Sequence, residues 1–207
     1  MLDKGNSMKK WWMACAMWLV TGVAFAGLAP DQLVKKTADD VIDVIKSDKD
    51  IQAGNQQKIF ALAEEKILPN FDFDKVSRLV LGKNWTKATP EQQSAFQAEF
   101  KTLLLRTYAT ALSKYKNQTI EYKPFRQEAG AETATVKTAI QQPGGEPISV
   151  DYTLSKKGED WKVFDIVIES VSLVTNYRSQ FAQEIRQNGL DSLNKKLAEK
   201  NKAATGK

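Results

Sequence analysis

The spacing of apolar residues changes character twice along this chain, and the two changes limit what it can fold into. Up to about Lys116 the apolar positions recur every three or four residues, as on one face of a helix. Between Ile120 and Ile168 they follow the period of a strand, and beyond Val171 the helical spacing returns. Helices, then strands, then helices, with no repeat and no linker-like stretch, describe one α+β domain. Its helices are expected to pack on a curved four-stranded antiparallel sheet.

Four helices are expected before the strands. Val34, Ala38, Val41, Ile42 and Ile45 share one face of a first helix between Pro30 and Asp48. Ile59, Phe60, Leu62, Ala63 and Ile67 mark a second, from about Asn55 to Leu68, stopped by Pro69. A third, from Asp74 to Leu81, ends at Gly82, a residue suited to a left-handed C-terminal cap. The fourth is the best defined: Thr89 as N-cap, Pro90 at the first helical position and Gln92 completing a capping box start a helix that runs to about Lys116. Its stripe of Phe96, Phe100, Leu103, Leu104, Tyr108 and Leu112 has to face something apolar.

Ile120 and Tyr122, then Ala134 to Ile140, then Ile148 to Leu154 alternate with polar residues and read as three strands, separated by Ala129-Gly130 and Pro143-Gly144-Gly145. A fourth follows Lys156-Lys157-Gly158 and runs from Trp161 to Ile168. Turns this short give an antiparallel meander. The fourth strand has Phe164, Ile166 and Ile168 on one face and Val163 and Val167 on the other, so it is expected to be central and covered. Val174, Tyr177, Phe181 and Ile185 then define a helix ending near Gly189. Leu190, Leu193 and Leu197 define a last one, and residues 200–207 are expected to form a disordered tail.

Met8-Lys9-Lys10, the apolar run Trp11 to Val20, and Ala24-Phe25-Ala26 before Gly27 stand in the order of a cleavable secretory signal. Residues 1–26 are therefore expected to be removed on export, leaving 27–199 as a single soluble domain. The run is too short to span a bilayer, and Thr21 and Gly22 interrupt it. Cys15, the one cysteine, lies inside that run, and the chain has no histidine. Residues 27–207 thus lack a thiol nucleophile, a Ser-His-Asp arrangement, a disulfide framework and the usual zinc ligands. No metal, cofactor or enzymatic activity is expected. Loss of Lys4, Lys9, Lys10 and Asp3 takes the net charge from +5 to +3, and both signs are interspersed, which leaves no footprint for nucleic acid.

Three stretches carry a resemblance: Val80-Leu81-Gly82-Lys83-Asn84-Trp85; Gln93 to Tyr108, with Phe-x-x-x-Phe and Thr-Tyr-Ala; and Trp161-Lys162-Val163-Phe164-Asp165-Ile166 with the following Val171 to Phe181. Together they resemble the MlaC family, also called the toluene-tolerance auxiliary family, over essentially the whole mature chain. One departure is Glu169-Ser170, where the family pattern is Glu-Gly, so a differently shaped turn is expected there. The resemblance implies a periplasmic phospholipid carrier of the Mla lipid-asymmetry pathway, with acyl chains held in an apolar cavity as cargo. It also implies two partners, an inner-membrane MCE-domain transporter complex and an outer-membrane lipoprotein-porin complex.

Such a carrier has a physical task of known size. A diacyl lipid exposes on the order of 30 methylenes at ~0.8 kcal/mol each, so leaving it in water costs roughly 25 kcal/mol. Shielding it takes an apolar pocket near or above the upper end of the usual range, about 1,000 Å³. On the implied role, Phe100, Leu104 and Tyr108 of the fourth helix line the cavity. Val136, Ile140, Ile148 and Val150 face them, with Tyr152, Ile166 and Ile168 beside these. Val171, Leu173 and Tyr177 close one end, and Arg178 and Lys162 are head-group candidates at the mouth.

The residues alone leave other readings open, because the same stripes serve any solid α+β core. In one, a cone-shaped enzyme uses Asp165 and Tyr152 for acid/base work on an apolar substrate, although alternation places Asp165 opposite Ile166 and Ile168, outside the cavity. In another, the domain is a periplasmic interaction module without a ligand.

Overall fold

The capping box at Thr89 forms as its sequence demands: the Gln92 amide donates to Thr89 Oγ1 at 3.2 Å, and the Thr89 amide donates to Gln92 Oε1 at 3.0 Å. It starts the helix Pro90–Ser113, α5 in chain order. In this computed structural model residues 27–116 and 118–203 are described, so the expected signal peptide, 1–26, lies outside the described residues.

Before α5 stand α1, Pro30–Ser47, a single turn α2, Lys49–Gln52, and α3, Gln56–Leu62. The sequence reading lacked α2, which Asp48 caps by accepting from the Asp50 and Ile51 amides. The second expected helix is also not continuous to Leu68. Residues Ala63–Ile67 widen into a π turn and Leu68–Asn70 tighten into a 3₁₀ turn, because Pro69 has no N–H to give to the carbonyl four residues back.

Asp72 caps α4, Phe73–Leu81, by accepting from the Lys75 amide. Gly82 ends it with φ 53° and ψ −127°: the positive φ is as expected, but the ψ lies outside the left-handed helical region, in a conformation only glycine adopts easily.

The final helix, α6, Leu173–Ala203, breaks at Gly189 (φ 83°, ψ 167°), which gives the two expected helices. It does not fray at Lys200. Asn201 is buried, and its Nδ2 donates to the Glu99 carbonyl at 2.9 Å and to the Glu99 carboxylate at 2.7 Å, fixing residues 200–203 against α5.

The sheet has five strands, not four: β1 Thr119–Tyr122, β2 Thr133–Gln141, β3 Ile148–Lys157, β4 Asp160–Ile168 and β5 Val171–Ser172. They lie in sequence order, antiparallel throughout, in an open sheet. β5 was missed because two residues are too few to show a period. The turn into it puts Glu169 and Ser170 at φ 47° and 67°, positive at both central positions as a two-residue hairpin requires. The departure at Ser170 therefore leaves serine in the left-handed region that glycine favours.

One register change corrects the reading of β4. Tyr152 pairs with Ile166 but Leu154 pairs with Val163, so Phe164 is an extra residue, a β-bulge. Val163, expected opposite Ile166, is turned inward and packs with Trp161, Leu154 and Val136. The edge of β4 that β5 does not reach is met by Phe71, which bridges Val163, and the Asp72 amide donates to the Val163 carbonyl at 2.9 Å.

Candidate functional site

The helices cover one face of the sheet, and between the two layers the interior is solid at one end and hollow at the other. The solid end is aromatic. Phe96 stacks on Phe100 at 5.3 Å, Phe181 stands edge-on to both, and Tyr177 meets Phe100 at 5.1 Å. The hollow end holds two adjoining cavities, of about 320 and 500 Å³. Two adjoining spaces thus stand in place of the single large pocket expected, and each falls within the range of about 300–1,000 Å³ usual for a ligand site.

The smaller cavity lies among α4, α5, the start of α6 and strands β2 to β4, with Leu104, Leu105, Phe73 and Val76 on its walls. The larger lies under α1, whose Val34, Ala38, Val41, Ile42 and Ile45 form one side. Six residues border both: Ile67, Phe71, Leu112, Ile140, Tyr152 and Ile166.

Of the lining residues expected from sequence, Phe100, Leu104, Tyr108, Val150, Ile168, Leu173 and Tyr177 border the smaller cavity, Ile148 the larger, and Ile140, Tyr152 and Ile166 both. Two fall elsewhere. Val136 is 1% exposed and packs behind the wall with Leu154 and Trp161, whereas Val171 is 53% exposed, because the tight turn before it carries it to the sheet edge. The head-group candidates border neither cavity. The Arg178 guanidinium lies against Gly82, where an added Cβ would approach it to 3.3 Å, and Lys162 Nζ donates to the Pro69 carbonyl at 2.9 Å. The α1 face and the Ile67–Phe71 segment were missed as lining. Their apolar stripes were plain, but a stripe does not say whether a side chain or a void lies opposite.

Polar groups at the cavities are few and individually placed. Burial and the neighbouring Tyr177 hydroxyl push Tyr108 up to about 12, and burial also raises Tyr152, so both phenols stay protonated at neutral pH. Asp165, expected outside, borders the smaller cavity. Its carboxylate accepts from the Val174 amide at 3.0 Å and from Ser172 Oγ at 2.6 Å, while Ser172 Oγ accepts from the Thr175 amide. A negative charge at the N-terminus of α6 is favourable there, and both oxygens are engaged in holding the helix start. In the larger cavity Asn70 Nδ2 donates to Thr37 Oγ1, and Lys114, Gln118 and Gln142 stand on the wall. Among the described residues no three His, Cys, Asp or Glu side chains gather as metal ligands. None of the described helices is long and apolar enough to cross a membrane.

A helix-covered open sheet around a divided hydrocarbon interior makes a container for an apolar molecule, a class defined by its void more than by any reactive group. The chain belongs to the MlaC family, whose profile, described as MlaC protein, matches residues 35–199. It is 29% identical over 167 residues to the toluene tolerance protein ttg2D of Pseudomonas putida, covering 80% of this chain and 77% of that one. It is 24% identical over 197 residues to the intermembrane phospholipid transport system binding protein MlaC of Haemophilus influenzae, covering 92% of each. A solved phospholipid-binding protein from Ralstonia solanacearum, in complex with a phospholipid, superposes with a TM-score of 0.80 at 41% identity, over 85% of this chain and 98% of that one.

Proposed function

We propose that this protein binds a diacyl phospholipid with one acyl chain in each cavity. It carries that cargo through the periplasm between an inner-membrane MCE-domain complex and an outer-membrane lipoprotein-porin complex, without chemical change to the lipid. The observation that carries this reading is the pair of adjoining, largely apolar spaces that have six lining residues in common. A lipid with two chains fits two compartments, and desolvating both chains supplies the large driving force that holds it. The phospholipid-bound relative from Ralstonia solanacearum supports the cargo class, and the name of the Haemophilus influenzae relative supports transport. Residues 1–26 would direct export, which N-terminal sequencing of periplasmic protein tests by a start at Gly27.

Native purification, extraction with organic solvent and mass spectrometry test the reading directly. Phospholipid near one per protein is expected. An empty extract from protein shown to be folded would remove it, and hydrolysed lipid would restore the enzyme reading.

A further inference from the structure

A phospholipid is not hydrocarbon throughout: each acyl chain begins at an ester carbonyl, and the two esters sit next to each other where the chains part. If the chains occupy separate cavities, the parting point lies against the wall the cavities share. That wall consists of Ile67, Phe71, Leu112, Ile140, Tyr152 and Ile166, and Tyr152 alone among the six carries a side-chain hydrogen-bonding group. Its backbone is fixed by the β-ladder, with Val136 on one side and Ile166 on the other. Among the described residues its hydroxyl has no hydrogen-bond partner, and the half-buried side chain borders both cavities. A hydroxyl at the edge of an apolar cavity gains from a partner once lipid displaces water from it, and so does a carbonyl withdrawn from water; here each is what the other lacks.

We propose that the Tyr152 hydroxyl donates a hydrogen bond to an acyl-ester carbonyl of the bound lipid and so fixes the depth at which the two chains divide between the cavities. The proposal rests on the two-chain reading above and gives it a polar register. Hydrocarbon alone would let a lipid slide along its chains; one hydrogen bond at the partition selects ester-linked diacyl lipids over molecules of equal apolar surface that lack the carbonyl.

The test compares delipidated wild-type protein with Tyr152→Phe, using a diacyl phosphatidylcholine and its dialkyl ether analogue of equal chain length, with affinity measured by fluorescent-lipid competition. Wild type is expected to bind the ester lipid roughly three- to tenfold more tightly than the ether lipid, the range of one net hydrogen bond. Tyr152→Phe is expected to erase that preference by weakening only the ester lipid. Equal weakening of both lipids would assign the hydroxyl to packing and overturn the proposal, as would an ester preference that survives in the variant. Failure of wild type to bind either lipid would instead strike the carrier reading. Infrared spectra of carbonyl-labelled lipid add a readout that packing does not move: a hydrogen-bonded ester band in wild type that shifts to the free position in the variant.

Discussion

A single helix face serves both ends of the interior of this protein. In α5 the stripe begins with Phe96, Phe100 and Leu103, which are buried to 4% exposure or less in a lattice of aromatic rings contributed by α4 and α6. Leu104, Tyr108 and Leu112, one to three turns beyond Phe100, continue the stripe, only partly buried, and border the cavities. Composition hardly differs between the halves; what differs is the partner. The N-terminal half meets the rings of Phe181 and Tyr177, whereas the C-terminal half borders cavities whose lining also includes sheet residues such as Ile140 and Ile166. Solidity is thus set by opposing pairs, and a fold can keep a rigid anchor and a void on one continuous element.

Truncation should separate the two ends most strongly. Phe96→Ala removes a ring stacked on Phe100 and edge-on to Phe181, and is expected to cost about 3–5 kcal/mol in urea unfolding. Leu112→Ala, beside both cavities, is expected to cost about 1 kcal/mol, below the usual range for a packed leucine, because fewer contacts are lost. Equal losses would show that the hollow end is closed in solution.

Filling the void probes the same contrast from the other side. Val150→Trp projects a large ring into the smaller cavity, so co-purified lipid should fall roughly tenfold or more while the thermal transition changes little, since the ring enters open space. Unchanged lipid content by mass spectrometry would sink the assignment of that cavity.

The joint between helices and sheet gives a smaller, pH-dependent effect. Burial alone would raise the Asp72 carboxyl, but the Lys157 ammonium at 2.9 Å and the Lys75 amide outweigh it and hold the carboxyl below its usual value. A folded-state pKa depressed in this way contributes stability that is present above the unfolded value and is lost as pH falls through the folded one. Asp72→Ala should therefore cost about 1 kcal/mol at neutral pH, with the gap closing below about pH 4, as read from urea midpoints along a pH series.

The smallest effect belongs to a site outside both ends. Ser170→Gly relieves a left-handed serine and should stabilise the protein by about 0.5–1 kcal/mol in thermal melts with no change in lipid content.

The sequence was most legible where structure is decided locally. The Thr89–Gln92 capping box, the helix break at Gly189 and the alternation of β2 and β3 all depend on neighbours within a few residues, and all appear as read. Features decided across strands were not. The extra residue at Phe164 exists only relative to β3, so the faces of Val163 and Asp165 could not be assigned from alternation in β4 alone. The cavities were legible only as apolar stripes. Those of α1 and α5 read the same whether they close on side chains, as at Phe96, or border a void, as at Ile42.

The bulge at Phe164 gives the strand two independently phased ends. Trp161 and Val163 lie to one side of the surplus residue and Ile166 and Ile168 to the other, and all four point inward although their numbering is out of step. Changes from Ile166 onward can therefore reshape the hollow without altering which way the packed residues before it face. The surplus residue acts as an expansion joint, letting the container vary in bore while its seam stays closed.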